Sequence, residues 1–76
     1  MNDREAMRSI LKVMADGEER TIREVEDAVL GMTPYDPYII DFDRIVVATC
    51  AYRLSLRGEL ARRTDERGLP CYRWAA

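Results

Sequence analysis

The side chains best equipped for chemistry in this sequence are its arginines, which suit the binding of anions. Eleven of the twelve basic residues are Arg and one is Lys, and the planar guanidinium of Arg pairs bidentately with phosphates and with guanine edges. Residues 44–76 contain seven arginines and three acids, a net charge of +4, whereas residues 1–43 contain five bases and eleven acids, a net charge of −6. This asymmetry predicts an anion-binding surface in the C-terminal half of the chain.

Residues suited to catalysis or to metal binding are scarce by comparison. The chain contains no His, so it offers neither an imidazole that titrates near neutral pH nor a Ser–His or Cys–His pair. Cys50 and Cys71 are too few soft ligands for a zinc site, and no Gly-rich phosphate loop occurs in the sequence. We therefore expect a protein that is not an enzyme and that uses no metal or other cofactor.

The composition is typical of one small globular domain. The chain has 76 residues, of which 47% are hydrophobic and 34% are charged, and this is enough for one modest core. It contains no apolar run of the ~20 residues that span a membrane, and its charged N-terminus lacks an apolar signal core. The spacing of Cys50 and Cys71 favours two reduced thiols. We expect a single domain over residues 1–76 in the cytoplasm, without membrane contact.

Two amphipathic helices are predicted in the first half of the chain. Apolar residues at helical spacing predict a first helix over residues 3–15. Thr21 followed three residues later by Glu24 is the signature of a capping box, which predicts a second helix over residues 22–30. The polar residues 18–20 between the two helices are interpreted as a connector.

A loop and a third helix follow. Residues 32–40 are predicted to form a loop, because the two prolines within them forbid a regular helix. Asp41 then offers an N-cap for a third helix over residues 44–57, which Gly58 ends. The Ile-Val-Val run at residues 45–47 has strand character, but the length of the segment and its lack of internal Gly or Pro favour a helix.

The chain ends in a predicted β-hairpin. Residues 59–64 and 69–74 have the pattern of two strands, and the polar residues 65–68 between them form a turn with Gly at its end. Tyr72 and Trp74 on the second strand are interpreted as packing residues of the core or of the hairpin base, rather than as a platform on which bases stack.

This order of helix, capped helix, helix and hairpin resembles a winged helix-turn-helix domain. Residues 21–25 (Thr-Ile-Arg-Glu-Val) are similar to the opening of that superfamily's second helix, and residues 54–60 (Leu-Ser-Leu-Arg-Gly-Glu-Leu) to the end of its third helix and the entry to its wing. Residues 60–63 and 71–74 resemble the wing itself. The resemblance implies an α+β fold, a three-helix winged helix-turn-helix with a C-terminal β-hairpin wing.

The resemblance also implies a function, because the third helix of this superfamily lies in the major groove of DNA and the wing contacts phosphates or the minor groove. The chain would then be a sequence-specific transcriptional regulator that binds double-stranded DNA, with homodimer binding to paired half-sites as a corollary. Carried over to this chain, the resemblance nominates three helix residues and three wing residues: Arg44, Thr49, Arg53, Arg62, Arg63 and Arg67. Such arginines pair with phosphate or guanine, and a Thr hydroxyl can meet a base edge.

The third helix also supports an alternative from another class. We expect Val47, Ala51 and Leu54 to face the core. The other large apolar side chains of the helix then lie partly elsewhere: Ile45, Tyr52 and Leu56. Few polar side chains remain for a DNA groove, and an apolar second face suits a dimer seam or a protein partner. The alternative is a winged-helix interaction module, such as a phage-encoded inhibitor or assembly factor, that docks on a larger complex through this apolar flank or through the acidic first half of the chain. A viral or mobile-element origin is expected for the DNA-binding regulator.

The nominated arginines have structural interpretations as well. Neighbours on a strand point to opposite faces, so at most one of Arg62 and Arg63 can point at any given surface. A charged pair on an edge strand also guards against aggregation. The structural interpretation of Arg44 and Arg53 is that they simply keep the surface of the third helix hydrated, without contacting DNA.

Overall fold

The computed structural model describes residues 1–31 and 41–75, and the loop predicted over residues 32–40 lies outside the described residues. The described chain forms a small α+β domain with three helices and a three-stranded antiparallel sheet. In chain order the elements are α1 (Asp3–Met14), β1 (Arg20–Thr21), α2 (Ile22–Leu30), α3 (Asp41–Leu56), β2 (Leu60–Thr64) and β3 (Pro70–Trp74).

The first two helices each begin with a side-chain cap, and α2 ends with a glycine cap. At the start of α1 the Asn2 side chain accepts a hydrogen bond of 2.8 Å from the Glu5 N–H. In α2 the Glu24 N–H donates to the Thr21 hydroxyl at 3.2 Å, and the Thr21 N–H donates to the Glu24 carboxylate at 3.0 Å. Gly31 ends α2 in the left-handed region at φ +64°. The capping box and the bounds predicted for α2 are both confirmed.

The end of α3 directs the chain into the sheet. The Gly58 N–H donates to the Ser55 carbonyl at 3.1 Å, and the Glu59 N–H donates to the Leu54 carbonyl at 3.0 Å. These two hydrogen bonds define a Schellman motif, which requires a positive φ at Gly58, and the φ of Gly58 is +81°. The helix begins at Asp41, three residues before the predicted start, so Asp41 is its first residue instead of an N-cap preceding residue 44.

The sheet contains one strand that the sequence pattern did not predict. β2 pairs antiparallel with β3, which sets Arg62 opposite Tyr72. β1, interpreted above as part of a polar connector, pairs with the other edge of β3, which sets Arg20 opposite the same Tyr72. The strand order is therefore β1-β3-β2. A strand of two residues has no local pattern of its own, so its formation here depends on a partner about fifty residues away.

The turn between β2 and β3 is held by the side chain of Asp65. Its carboxylate accepts the N–H groups of Arg67 at 2.8 Å and Leu69 at 2.9 Å, and the Asp65 N–H donates to the Leu69 carbonyl at 2.8 Å. These bonds present the Arg67 side chain at an exposed corner of the hairpin.

The core lies between the three helices and one face of the sheet. Its largest fully buried side chains come from every helix and from the sheet: Ile10, Met14, Val25, Val47, Leu54 and Leu60. Ala51 and Tyr72 are buried with them, and Trp74 packs half-buried at the margin. The predicted inward side of the third helix and the packing roles of Tyr72 and Trp74 are confirmed. Within the described ranges, none of the helices has the length and apolarity needed to cross a bilayer.

Candidate interaction surface

The solvent-facing side of α3 is the most unusual surface of the described chain. Five residues at alternating spacings of three and four point away from the core: Phe42, Ile45, Thr49, Tyr52 and Leu56. The four large members are 65%, 62%, 47% and 69% exposed, in that order. Spacings of three and four repeat every 3.5 residues on average, so these side chains form one continuous line that slants slightly around the helix. We refer to these five residues as the outer stripe.

The outer stripe is large for a domain of this size. A large apolar or aromatic side chain has roughly 150–250 Å² to bury, so the exposed fractions of the four large members correspond to about 400 Å² of mainly apolar surface. The largest apolar patch on a typical monomer covers about 300–600 Å² and is often functional. Here a comparable area is concentrated on one helix, which makes it a candidate contact surface.

Arg44, nominated above for DNA, is engaged within the fold. Its guanidinium donates to the Glu26 carboxylate at 2.9 Å and to the Asp27 carboxylate at 2.7 Å. The three side chains are only 12–17% exposed. The hydrogen bonds to Glu26 and Asp27 raise the pKa of Arg44 above its ordinary value. Arg44 thus links α3 to α2 through two ion pairs, and this placement favours a structural role.

Arg53 and Arg63 are exposed, but each is paired with a local carboxylate. Arg53 on α3 donates to Asp3 on α1 at 2.8 Å. Arg63 on β2 forms a two-pronged ion pair with Glu19, in which the Arg63 Nε donates to Glu19 Oε2 at 2.7 Å. The hydrogen bonds from Arg63 lower the pKa of Glu19. Both pairings reduce the positive charge that these arginines offer to a phosphate.

Arg62 and Thr49 lie beside and within the outer stripe. The Arg62 Nε donates to the Tyr72 hydroxyl at 3.2 Å, and its guanidinium lies 5.5 Å from the centre of the Tyr52 ring. This cation–π contact places a positive charge at the edge of the stripe. Thr49 is exposed at the middle of the stripe. Arg63 pairs with Glu19 instead, so the two neighbouring arginines have different partners, although both line one depression of the hairpin.

The structure brings together some candidate residues that sequence reasoning left apart. A shallow depression on the hairpin is lined by Arg62, Arg63, Arg73 and Glu19. Arg73 was not nominated, although the antiparallel pairing sets it opposite Ala61, one residue from Arg62. Phe42 was also missed, because the predicted helix began too late to include it. The signal that could have found Phe42 was its spacing of three residues from Ile45.

The two thiols belong to the interior and not to this surface. Cys50 on α3 is 0% exposed and Cys71 on β3 is 3% exposed. Burial raises the pKa of both thiols, which lowers the fraction of reactive thiolate. The Cys50 Sγ also lies 3.7 Å from the Asp3 carbonyl oxygen, to which it donates.

The chain matches no protein-family model, no curated protein and no solved structure in the three comparisons made.

Proposed function

We propose that this chain is a non-enzymatic protein-interaction module of the winged-helix type, which binds an amphipathic protein helix through the outer stripe of α3. The observation that carries the proposal is the chemistry of the stripe, which presents four large apolar side chains and one Thr to solvent without a charged residue among them. The winged-helix assignment is supported by the element order, in which a β-hairpin directly follows the third helix.

The chemistry of the outer stripe suits a protein better than a DNA groove. Base edges are recognised by hydrogen-bond donors and acceptors, and the positioning contacts go to charged phosphates. The stripe offers only the hydroxyls of Thr49 and Tyr52 for such bonds. Its other side chains would displace water from the polar groups of the DNA groove without replacing the lost hydrogen bonds, which is unfavourable. An apolar helix face removes the same side chains from water, which is favourable.

The dimensions of the stripe define the partner. Phe42 and Leu56 are fourteen positions apart, which is about 21 Å at 1.5 Å per residue. A complementary helix therefore needs about four turns with apolar residues at spacings of three and four, so that its side chains fit between those of the stripe. The guanidinium of Arg62 beside Tyr52 would meet a carboxylate or a carbonyl on the edge of that helix.

Site-specific photo-crosslinking tests the proposal. A benzophenone amino acid is placed at Ile45 or at Leu56 on the stripe, and at the exposed Arg8 on α1 as a control. We expect light-dependent protein adducts at both stripe positions and not at Arg8, with crosslinked peptides that map to an amphipathic helix. The adducts should disappear when Phe42→Glu is added, because a charge on the stripe opposes its burial. Folded protein that gives no adduct at either stripe position would contradict the proposal.

The DNA-binding regulator expected from the resemblance is retained as a second candidate, because four arginines lie on the hairpin. Arg62, Arg63 and Arg73 line one depression together with Glu19, and Arg63 and Arg67 line a neighbouring one together with Asp65 and Glu66. This candidate requires binding to mixed-sequence duplex DNA that weakens steeply as salt rises.

A titration with duplex DNA at two salt concentrations distinguishes the second candidate from the first. The candidate requires that Arg62→Ala with Arg67→Ala weakens binding at low salt, whereas Lys12→Ala, an exposed cation on α1, leaves binding unchanged. Absence of DNA binding at low salt, or equal losses in both variants, would contradict it.

A further inference from the structure

We infer that the helix bound by the outer stripe is α3 of a second copy of this chain, packed antiparallel across a two-fold axis near Thr49. This inference rests on the proposed function, because it names the partner of the same surface. It commits the protein to a symmetric homodimer in which each copy supplies the same face.

The spacing of large and small side chains along the stripe is nearly the same when it is followed from either end. Thr49 is the small central residue, with Phe42 seven residues before it and Leu56 seven residues after it. Ile45 lies four residues before the centre and Tyr52 three residues after it. When two such helices run in opposite directions, Phe42 lies near Leu56 of the second copy and Ile45 near Tyr52 of the second copy. The small Thr at the centre allows the two helices to approach closely there.

The distribution of charge favours the antiparallel arrangement over the parallel one. At the N-terminal half of α3, Glu26 and Asp27 share the single cation of Arg44, which leaves an excess of negative charge. At the C-terminal half stands Arg62, whose contacts within the described residues are with two tyrosine side chains. Opposed helices place these unlike ends together and also oppose their dipoles. A parallel pair would place like charges side by side.

The area of the stripe sets the expected size of the interface. About 400 Å² from each copy, together with Thr49 and the aliphatic parts of flanking side chains, gives a total buried area of about 1,000 Å². This is at the lower limit for a specific interface. We therefore expect a reversible dimer rather than an obligate one.

Sedimentation equilibrium over a concentration range from about 2 to 500 µM tests the inference. The apparent mass should rise from the monomer value of 8.8 kDa towards twice that value. Ile45→Glu and Leu56→Glu should each weaken association at least tenfold, because each copy then places a charge in the seam. The matched control is Leu69→Glu, an apolar residue on the hairpin that is 42% exposed and lies off the stripe. A monomer throughout the range, or equal weakening by Leu69→Glu, would overturn the inference.

Disulfide trapping tests the direction of the helices. Thr49→Cys should form an intermolecular disulfide, because both copies place it at the axis. Leu56→Cys alone should not, since its two copies lie about 21 Å apart in an antiparallel pair. A mixture of Phe42→Cys and Leu56→Cys proteins should give a mixed disulfide. The native thiols do not interfere, because both are buried. Efficient self-crosslinking of Leu56→Cys would mean a parallel pair and would overturn the inference.

The failure of this inference can be distinguished from the failure of the proposed function. A protein that remains monomeric but gives photo-adducts with a different protein at Ile45 contradicts the homodimer and leaves the interaction module intact. A protein that is monomeric and gives no adduct at Ile45 or Leu56 contradicts both.

Discussion

The two faces of α3 are both apolar, but they differ in side-chain size and in what they contact. The inner face consists of Val47, Cys50, Ala51 and Leu54, which are all 0% exposed, and three of these four are small or medium-sized. The outer stripe carries the bulkier side chains, including the only Phe of the chain. Small inner residues allow α1 and α2 to pack closely against α3. The bulk on the outside is therefore surplus to the fold, and our proposal assigns binding to these outer residues and folding to the inner ones.

The sharpest test of this comparison uses two leucines that are two residues apart. Leu54→Ala should destabilise the protein by about 2–5 kcal/mol, because it removes a fully buried side chain and leaves a cavity. Leu56→Ala, on the outer stripe, should change the stability of the monomer by no more than about 0.5 kcal/mol. Urea denaturation at about 1 µM protein, where the monomer dominates, measures both. Equal losses would mean that α3 is rotated relative to the structure described here.

Two arginines of α3 extend the comparison to charged residues. Arg44→Ala should cost about 1–3 kcal/mol, because it leaves Glu26 and Asp27 without their shared cation where both carboxylates are largely shielded from water. Arg53→Ala should cost less than about 0.5 kcal/mol, since Arg53 and Asp3 are both more than half exposed. Denaturation curves of the two variants provide the measurement. A larger loss for Arg53→Ala would contradict the assignment of Arg44 as the internal tie.

Two threonines provide the next comparison. Thr21→Ala should destabilise the protein by about 1 kcal/mol, because the Thr21 hydroxyl accepts the Glu24 N–H in the capping box of α2. Thr49→Ala on the outer stripe should be neutral or slightly stabilising for the monomer, since Ala has the higher helix propensity. Thermal unfolding followed by circular dichroism measures both. Should Thr49→Ala prove the more damaging change in the monomer, the outer stripe would have a structural role after all.

The sequence predicts those features of the fold that are determined by residues close together in the chain. The capping box at Thr21 and the glycine at position 58 fixed the bounds of α2 and the end of α3, because caps are determined by neighbouring residues. The core side of α3 was also predictable from the positions of Val47, Ala51 and Leu54. The hairpin was predicted to within one residue at the start of each strand.

Features that depend on contacts distant in sequence were not predictable. β1 forms only because β3 offers it an edge, and no pattern within residues 20–21 indicates this. The pairs of Arg44 with Glu26 and of Arg63 with Glu19 join residues eighteen and forty-four positions apart. The sequence alone therefore nominated several arginines for DNA binding that the fold pairs with carboxylates of the same chain. The extent of the stripe was underestimated for a related reason, since Phe42 precedes the predicted helix.

The smallest expected effect concerns a salt bridge remote from α3. Arg20 donates to both carboxylate oxygens of Asp16, at 2.9 and 2.7 Å, and this lowers the pKa of Asp16 from 3.8 to about 2. A lowered folded-state pKa adds stability above the unfolded value of 3.8, and this contribution is lost as the pH falls towards about 2. The difference in melting temperature between wild type and Asp16→Asn should therefore shrink over that interval. A difference that stays constant down to pH 2 would contradict the pairing.

The separation of inner and outer residues on α3 has an evolutionary consequence. The inner residues and Arg44 hold the helix in place, so substitutions at the five outward positions should leave the stability of the fold largely unchanged. Mutations there would avoid the usual trade-off between a new activity and stability. Descendants of this chain could exchange one binding specificity for another by altering a handful of codons within a single helix.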